Sequence, residues 1–168
     1  MSGLSQEETG SKLSLEAYCI SKPYLVDLGV AQDLKSPFIL CIRNKSNYKL
    51  ELWQIVQMGH KGDERHNDIT FELLYLSGKD TINVLDSIGY ENVWRRSITS
   101  KVIIFQEAAH CFESMAFEPL YFKRPGKYLI RFTLLERYAP EYLPKRVVTD
   151  WIAFDVQIND ERRKNELY

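Results

Sequence analysis

The chain has 168 residues, a formal net charge of −1, 45% apolar and 12% aromatic side chains. That length suits one domain, and that apolar content fills one core without a disulfide or metal to compensate. The near-zero charge excludes a surface that as a whole attracts nucleic acid or membranes, and no apolar run approaches the ~20 residues of a membrane-spanning helix.

The charge is mildly uneven: residues 1–90 carry 9 Lys/Arg against 12 Asp/Glu, and residues 91–168 carry 13 against 11. This reads as ordinary mixed surface charge. Cys19, Cys41 and Cys111 form no C-x-x-C, and Cys41, within FILCIRN, reads as a small core hydrophobe. The odd cysteine count, with no apolar signal-like stretch in MSGLSQEETGSK, predicts a reducing intracellular setting, nuclear or cytoplasmic. The sequon at Asn44-Lys45-Ser46 then carries no glycan.

In chain order, residues 1–15 read as a flexible polar tail and PYLVDL (23–28) as a first strand. SPFILCIRNKSNYKLELWQIVQ (36–57) gives two strands joined by a polar turn at Asn44–Asn47. MGHKGDERHND (58–68) reads as a polar loop. ITFELLYLSG (69–78) alternates, and TINVL (81–85) follows it across a turn. Residues 86–97 look irregular, ITSKVIIFQE (98–107) is a strand by propensity, and QEAAHCFESMA (106–116) suits a turn or a short helix. In GKYLIRFTLLE, Tyr128, Ile130, Phe132 and Leu134 share one face of a strand. RYAPEYLPKR (137–146) is a loop and VVTDWIAFDVQI (147–158) a last strand, with Ile152, Phe154, Val156 and Ile158 on one face. Residues 159–168 read as a charged tail.

Short strands without helices between them exclude a parallel α/β sheet. The expectation is an all-β, immunoglobulin-like β-sandwich of about eight or nine antiparallel strands over residues 16–158. Pro125-Gly126 allows a tight turn, and Tyr128 two residues on stands where such sandwiches place a tyrosine corner; the plainer reading is a core tyrosine at a strand start.

FEPLYFKRPGKYLIRFTLLE (117–136) resembles the fungal velvet domain at Phe117, Leu120, Gly126, Tyr128, Arg131, Phe132, Leu134 and Glu136. SITSKVIIF (97–105) and WIAFDV (151–156) resemble its flanking strands, and ITFELLYLSG is similar to an earlier one. The resemblance implies a β-sandwich related to the Rel-homology fold, acting as a dimeric regulator that binds DNA and protein in the nucleus. Pro119 replaces the motif's aspartate, Leu129 replaces the arginine after the tyrosine, and the family's basic N-terminal element has no counterpart. The resemblance therefore carries the fold and not the DNA contacts.

Chemistry finds little support. His60 and His66, with Asp63 and Glu64 between them, sit in a polar loop whose spacing is wider than zinc sites favour. His110-Cys111 would face opposite sides of a strand, which denies a thiol–imidazole pair. Glu113 and Glu118 show no substrate cleft, and no nucleotide-binding or nucleophile-elbow motif occurs. The expectation is no catalytic residue, no metal and no cofactor.

Two binding surfaces remain. Trp151, with Ala153, should point away from the apolar face of the last strand and form a protein-binding patch, and Trp94 is a second aromatic candidate. If the last strand is an edge, its free backbone offers a route to dimerisation. Arg95 and Arg96, with Lys123, Arg124, Lys127, Lys145 and Arg146, are the candidate phosphate contacts. Lys123, Arg124 and Lys127, beside the Pro-Gly turn, and Lys145-Arg146 should lie at opposite ends of the strand pair. The leading expectation is a non-enzymatic intracellular interaction module, a velvet-like regulator acting as a homo- or heterodimer. The alternatives are a sequence-specific DNA-binding transcription regulator and a cryptic metal-dependent or hydrolytic enzyme.

Overall fold

The computed structural model describes residues 10–20, 23–27, 37–53, 58–62, 64, 67–87, 100–114 and 121–159. Among them the chain is all-β with no α-helix. The strands are β1 (Leu13–Cys19), β2 (Tyr24–Asp27), β3 (Phe38–Asn44), β4 (Leu50–Trp53), β5 (Met58–His60) and β6 (Ile69–Ser77). They continue as β7 (Asp80–Asn83), β8 (Lys101–Ile104), β9 (Ala109–Glu113), β10 (Gly126–Leu134), β11 (Val147–Val148) and β12 (Ile152–Asn159).

Among the described residues these strands form three sheets. The smaller sheet runs β1-β3-β9, and β4-β8 forms a two-stranded ribbon. The larger sheet runs β2-β12-β10-β6-β5, with β7 on β6 and β11 on β10. Twelve strands among the described residues exceed the eight or nine expected, because several are too short to show a period of two. Nor are all pairings antiparallel: β2 joins β12 and β5 joins β6 in parallel.

Alternation explains the core. Tyr128, Ile130, Phe132 and Leu134 are all buried, as are Phe154 and Val156 on β12. Tyr128 pairs with Phe154 and Ile130 with Ile152, so these inward faces align across two antiparallel strands. The smaller sheet meets them through Phe38, whose ring lies 5.6 Å from Phe132 and 5.1 Å from Phe154 in edge-to-face geometry. The C-terminal third thus forms two neighbouring antiparallel strands whose apolar side is sealed by the other sheet.

The expected corner is present. Gly126 takes a positive φ of 135°, and the Tyr128 hydroxyl donates to the Arg124 carbonyl at 2.7 Å.

Several expectations are corrected. β1 opens at Leu13, inside the segment read as tail, because Leu13 and Leu15 alternate inward and Lys12 N–H donates to the Tyr142 carbonyl. Residues 58–60, read as loop, pair with β6. Residues 109–113, read as turn or helix, form β9, whose strand partner β3 supplies the hydrogen bonds that a helix would have made internally. The last strand is interrupted between Val148 and Ile152 and splits into β11 and β12. It is not a free edge along its length, since β2 covers Val156–Asn159. Cys41 is buried, as expected, but on the side of β3 away from Leu40 and Ile42 and not as a free thiol: it lies directly opposite Cys111 on β9, and the two form a disulfide. Its neighbours Leu40 and Ile42 take the inward positions that the period of two allows.

Candidate interaction surface

The outward side chains of the larger sheet form rows running across its strands. Arg131 on β10 faces Glu72 on β6, with a 2.7 Å bond from Nε to the carboxylate. Lys61 reaches the other oxygen of Glu72 at 3.1 Å. On its far side the Arg131 guanidinium lies 4.5 Å from the centre of the Trp151 ring. Burial opposes ionisation of Glu72, but the hydrogen bonds from Arg131 and then Lys61 outweigh it and hold the carboxyl below its usual range.

The adjoining row is apolar. Ala153 pairs with Leu129, and Leu129 with Leu74, so three aliphatic groups stand side by side on the outer face. Ala153 is exposed and the two leucines are half-buried. One row further, Asp155 pairs with Lys127 and Lys127 with Leu76. At the β2 edge, Leu25 stands outward with 62% of its surface exposed. Trp151 itself is 37% exposed. Residues 109–113 do not cover this face, because β9 belongs to the other sheet.

This arrangement is suited to contact. The Arg131 guanidinium sits over the Trp151 ring, and Glu72 holds it from the other side. Tryptophan and arginine presented in fixed rotamers carry large shares of interface energy because little side-chain entropy remains to be lost.

The expected site residues separate into groups. Trp151 and Ala153 belong to this face, and Lys127 lies on it one row beyond Ala153. Lys123 and Arg124 are exposed just before β10. Lys145 and Arg146 precede β11, which pairs with the far end of β10 at Thr133 and Leu134. The strand between Lys127 and Leu134 spans about 23 Å at ~3.3 Å per residue, so the two basic clusters do not converge. Arg146 is in addition paired with Glu136 and Glu64, each at 3.4 Å. Trp94, Arg95 and Arg96 lie outside the described residues, as do Asp63, His66, Glu118 and the 117–120 part of the velvet-like stretch. His110 faces inward beside Phe112, 5.9 Å between rings, while Cys111 faces outward in its disulfide.

Sequence reasoning placed Arg131 on the outer face but not Glu72, Leu74 or Leu129 as its neighbours. Alternation gives the face of each residue; only the β6-β10-β12 register gives the rows. No protein-family model matches the chain, and no curated protein is significantly similar to it.

Proposed function

We propose that this protein is a non-enzymatic interaction module, an immunoglobulin-like β-sandwich with a velvet-like C-terminal half. It docks a protein partner on the outer face of its larger sheet and works as a dimer. The strand order supports the sandwich: β1, β3 and β9 take the places of strands A, B and E, and β6, β10 and β12 those of C, F and G. The corner bond of Tyr128 at the start of the F-like strand supports it further.

The function rests on one observation, the exposed Trp151 ring with the Arg131 guanidinium over it, beside the Ala153–Leu129–Leu74 row. An ion pair and an aromatic fixed around an apolar row favour a protein surface as partner over a polyanion, since Glu72 neutralises Arg131. Trp151→Lys and Leu129→Glu both place charge on this face without touching the core. Light scattering should give a dimer mass for the native chain and a monomer mass for each variant, with unchanged far-ultraviolet circular dichroism. A folded variant that keeps the native mass overturns this interface.

A further inference from the structure

We propose that a pocket beside the tyrosine corner binds a small aromatic anion, an aryl phosphate or aryl carboxylate about the size of one side chain. The cavity holds about 280 Å³ and opens between the β6-β7 hairpin and the entry to β10. That is just below the ~300 Å³ at which typical ligand sites begin, which fits one ring with a single charged substituent.

The walls are aromatic and aliphatic. The rings of Tyr75 and Tyr128 stand 5.0 Å apart at 50°. Ile82 pairs with Tyr75 across the hairpin and remains 42% exposed, an apolar side chain on the rim of a recess. Tyr121 and Val84 complete the lining. A flat ring inserted here would meet tyrosine faces and aliphatic carbons, the surfaces that favour aromatic groups.

The mouth is cationic. Lys123 and Arg124 border the same cavity. Arg131, Arg137 and Arg146 are each paired with a carboxylate, but among the described residues no carboxylate pairs with the side chain of Lys123 or Arg124. Two adjacent unpaired cations over an aromatic recess select an anion on a ring, with the guanidinium able to bind phosphate or carboxylate oxygens in pairs.

The backbone under these cations is fixed. The Tyr128 hydroxyl holds the Arg124 carbonyl. Gly126 packs so closely on Tyr75 that a Cβ there would come within 3.2 Å of the ring. Arg124 is therefore presented from a turn whose backbone is tied to β10. The pocket and the outer face use different residues, so a failed dimerisation test leaves the pocket untouched.

The test is a titration of the isotope-labelled full chain, followed by amide NMR shifts, with phenyl phosphate, inorganic phosphate and benzyl alcohol as probes. Phenyl phosphate should shift Tyr75, Ile82, Val84 and Arg124, and bind about tenfold or more tighter than either of the other two. Lys123→Glu with Arg124→Glu should abolish that binding; both side chains are exposed, and the Arg124 carbonyl needed by Tyr128 is retained. Ile82→Ala, at the exposed rim, should weaken it with the charges intact. A phosphotyrosine peptide that binds more tightly than phenyl phosphate identifies a partner's side chain as the source, and equal affinity identifies a free small anion. No shifts at millimolar phenyl phosphate, equal binding of inorganic phosphate or benzyl alcohol, or unchanged binding to the double variant each overturns the proposal.

Discussion

The Tyr128 hydroxyl donates to the carbonyl of Arg124 four residues upstream, at 2.7 Å, while its ring packs between Tyr75 and Phe154. Burial first of all raises the Tyr128 pKa, although the Arg124 carbonyl bond acts against it. Burial likewise pushes Tyr24 up to about 12, and raises Tyr138. A folded-state pKa above the unfolded value of about 10 means that the native chain holds these protons more tightly. Their contribution to stability is full below pH ~10 and is lost as pH rises through the folded values. Alkaline unfolding should begin above pH ~10, and phenolate absorbance should rise together with the loss of the β signal. Phenolate formation at pH ~10 in a still-folded protein, to the full tyrosine count, contradicts this. Tyr128→Phe should cost about 1 kcal/mol in urea unfolding.

Asn44 is fully buried where β3 ends. Its Nδ2 donates to the carbonyls of Tyr48 and Ile104 at 2.7 and 3.0 Å, and its Oδ1 accepts from the Ser46 N–H and hydroxyl at 2.8 and 2.6 Å. These bonds tie the β3–β4 turn to β8, so that β4 pairs with β8 beyond it. Asn44→Ala leaves buried donors and acceptors without partners. Denaturant unfolding should show a loss of about 2–4 kcal/mol; a loss under about 0.5 kcal/mol would mean that the turn is held by other contacts.

Glu16 accepts a 2.6 Å bond from Arg43 Nε and another 2.6 Å bond from the Tyr18 hydroxyl. The Arg43 bond first, and the Tyr18 bond second, lower its pKa to about 2. A depressed carboxylate stabilises the fold above the unfolded pKa of about 4.3, and that contribution disappears as pH falls from there to about 2. The pair is partly exposed, so the effect should stay within about 1 kcal/mol. Carboxyl carbon NMR should locate the titration near pH 2, and Glu16→Gln should flatten stability over the same window. A Glu16 titration at an ordinary carboxylate pH would show that the pair is not formed.

The Cys41–Cys111 disulfide spans 70 residues of sequence, and Cys19 takes no part in a disulfide. Closing so long a loop restricts the unfolded chain, and Cys41→Ser should cost about 2–4 kcal/mol. Alkylation of the unreduced, denatured protein should label one cysteine. Labelling of all three, with stability unaltered by reductant, would show that the two strands are held by their ladder alone.

The sequence by itself determined the all-β character and the inward set of β10 and β12. Both follow from alternation, a local property: Phe132 and Phe154 could be assigned to one side of their strands without knowing what they touch. It also located the corner at Tyr128, because turn, glycine and tyrosine lie within five residues. Tertiary structure alone decided what lies between strands far apart in sequence. The parallel docking of β2 on β12, the bond between Cys41 and Cys111, and the line from Trp151 through Arg131 to Glu72 all depend on register. A shift of one residue in the β6-β10 pairing would place a different side chain beside Arg131 while leaving every local pattern in the sequence intact.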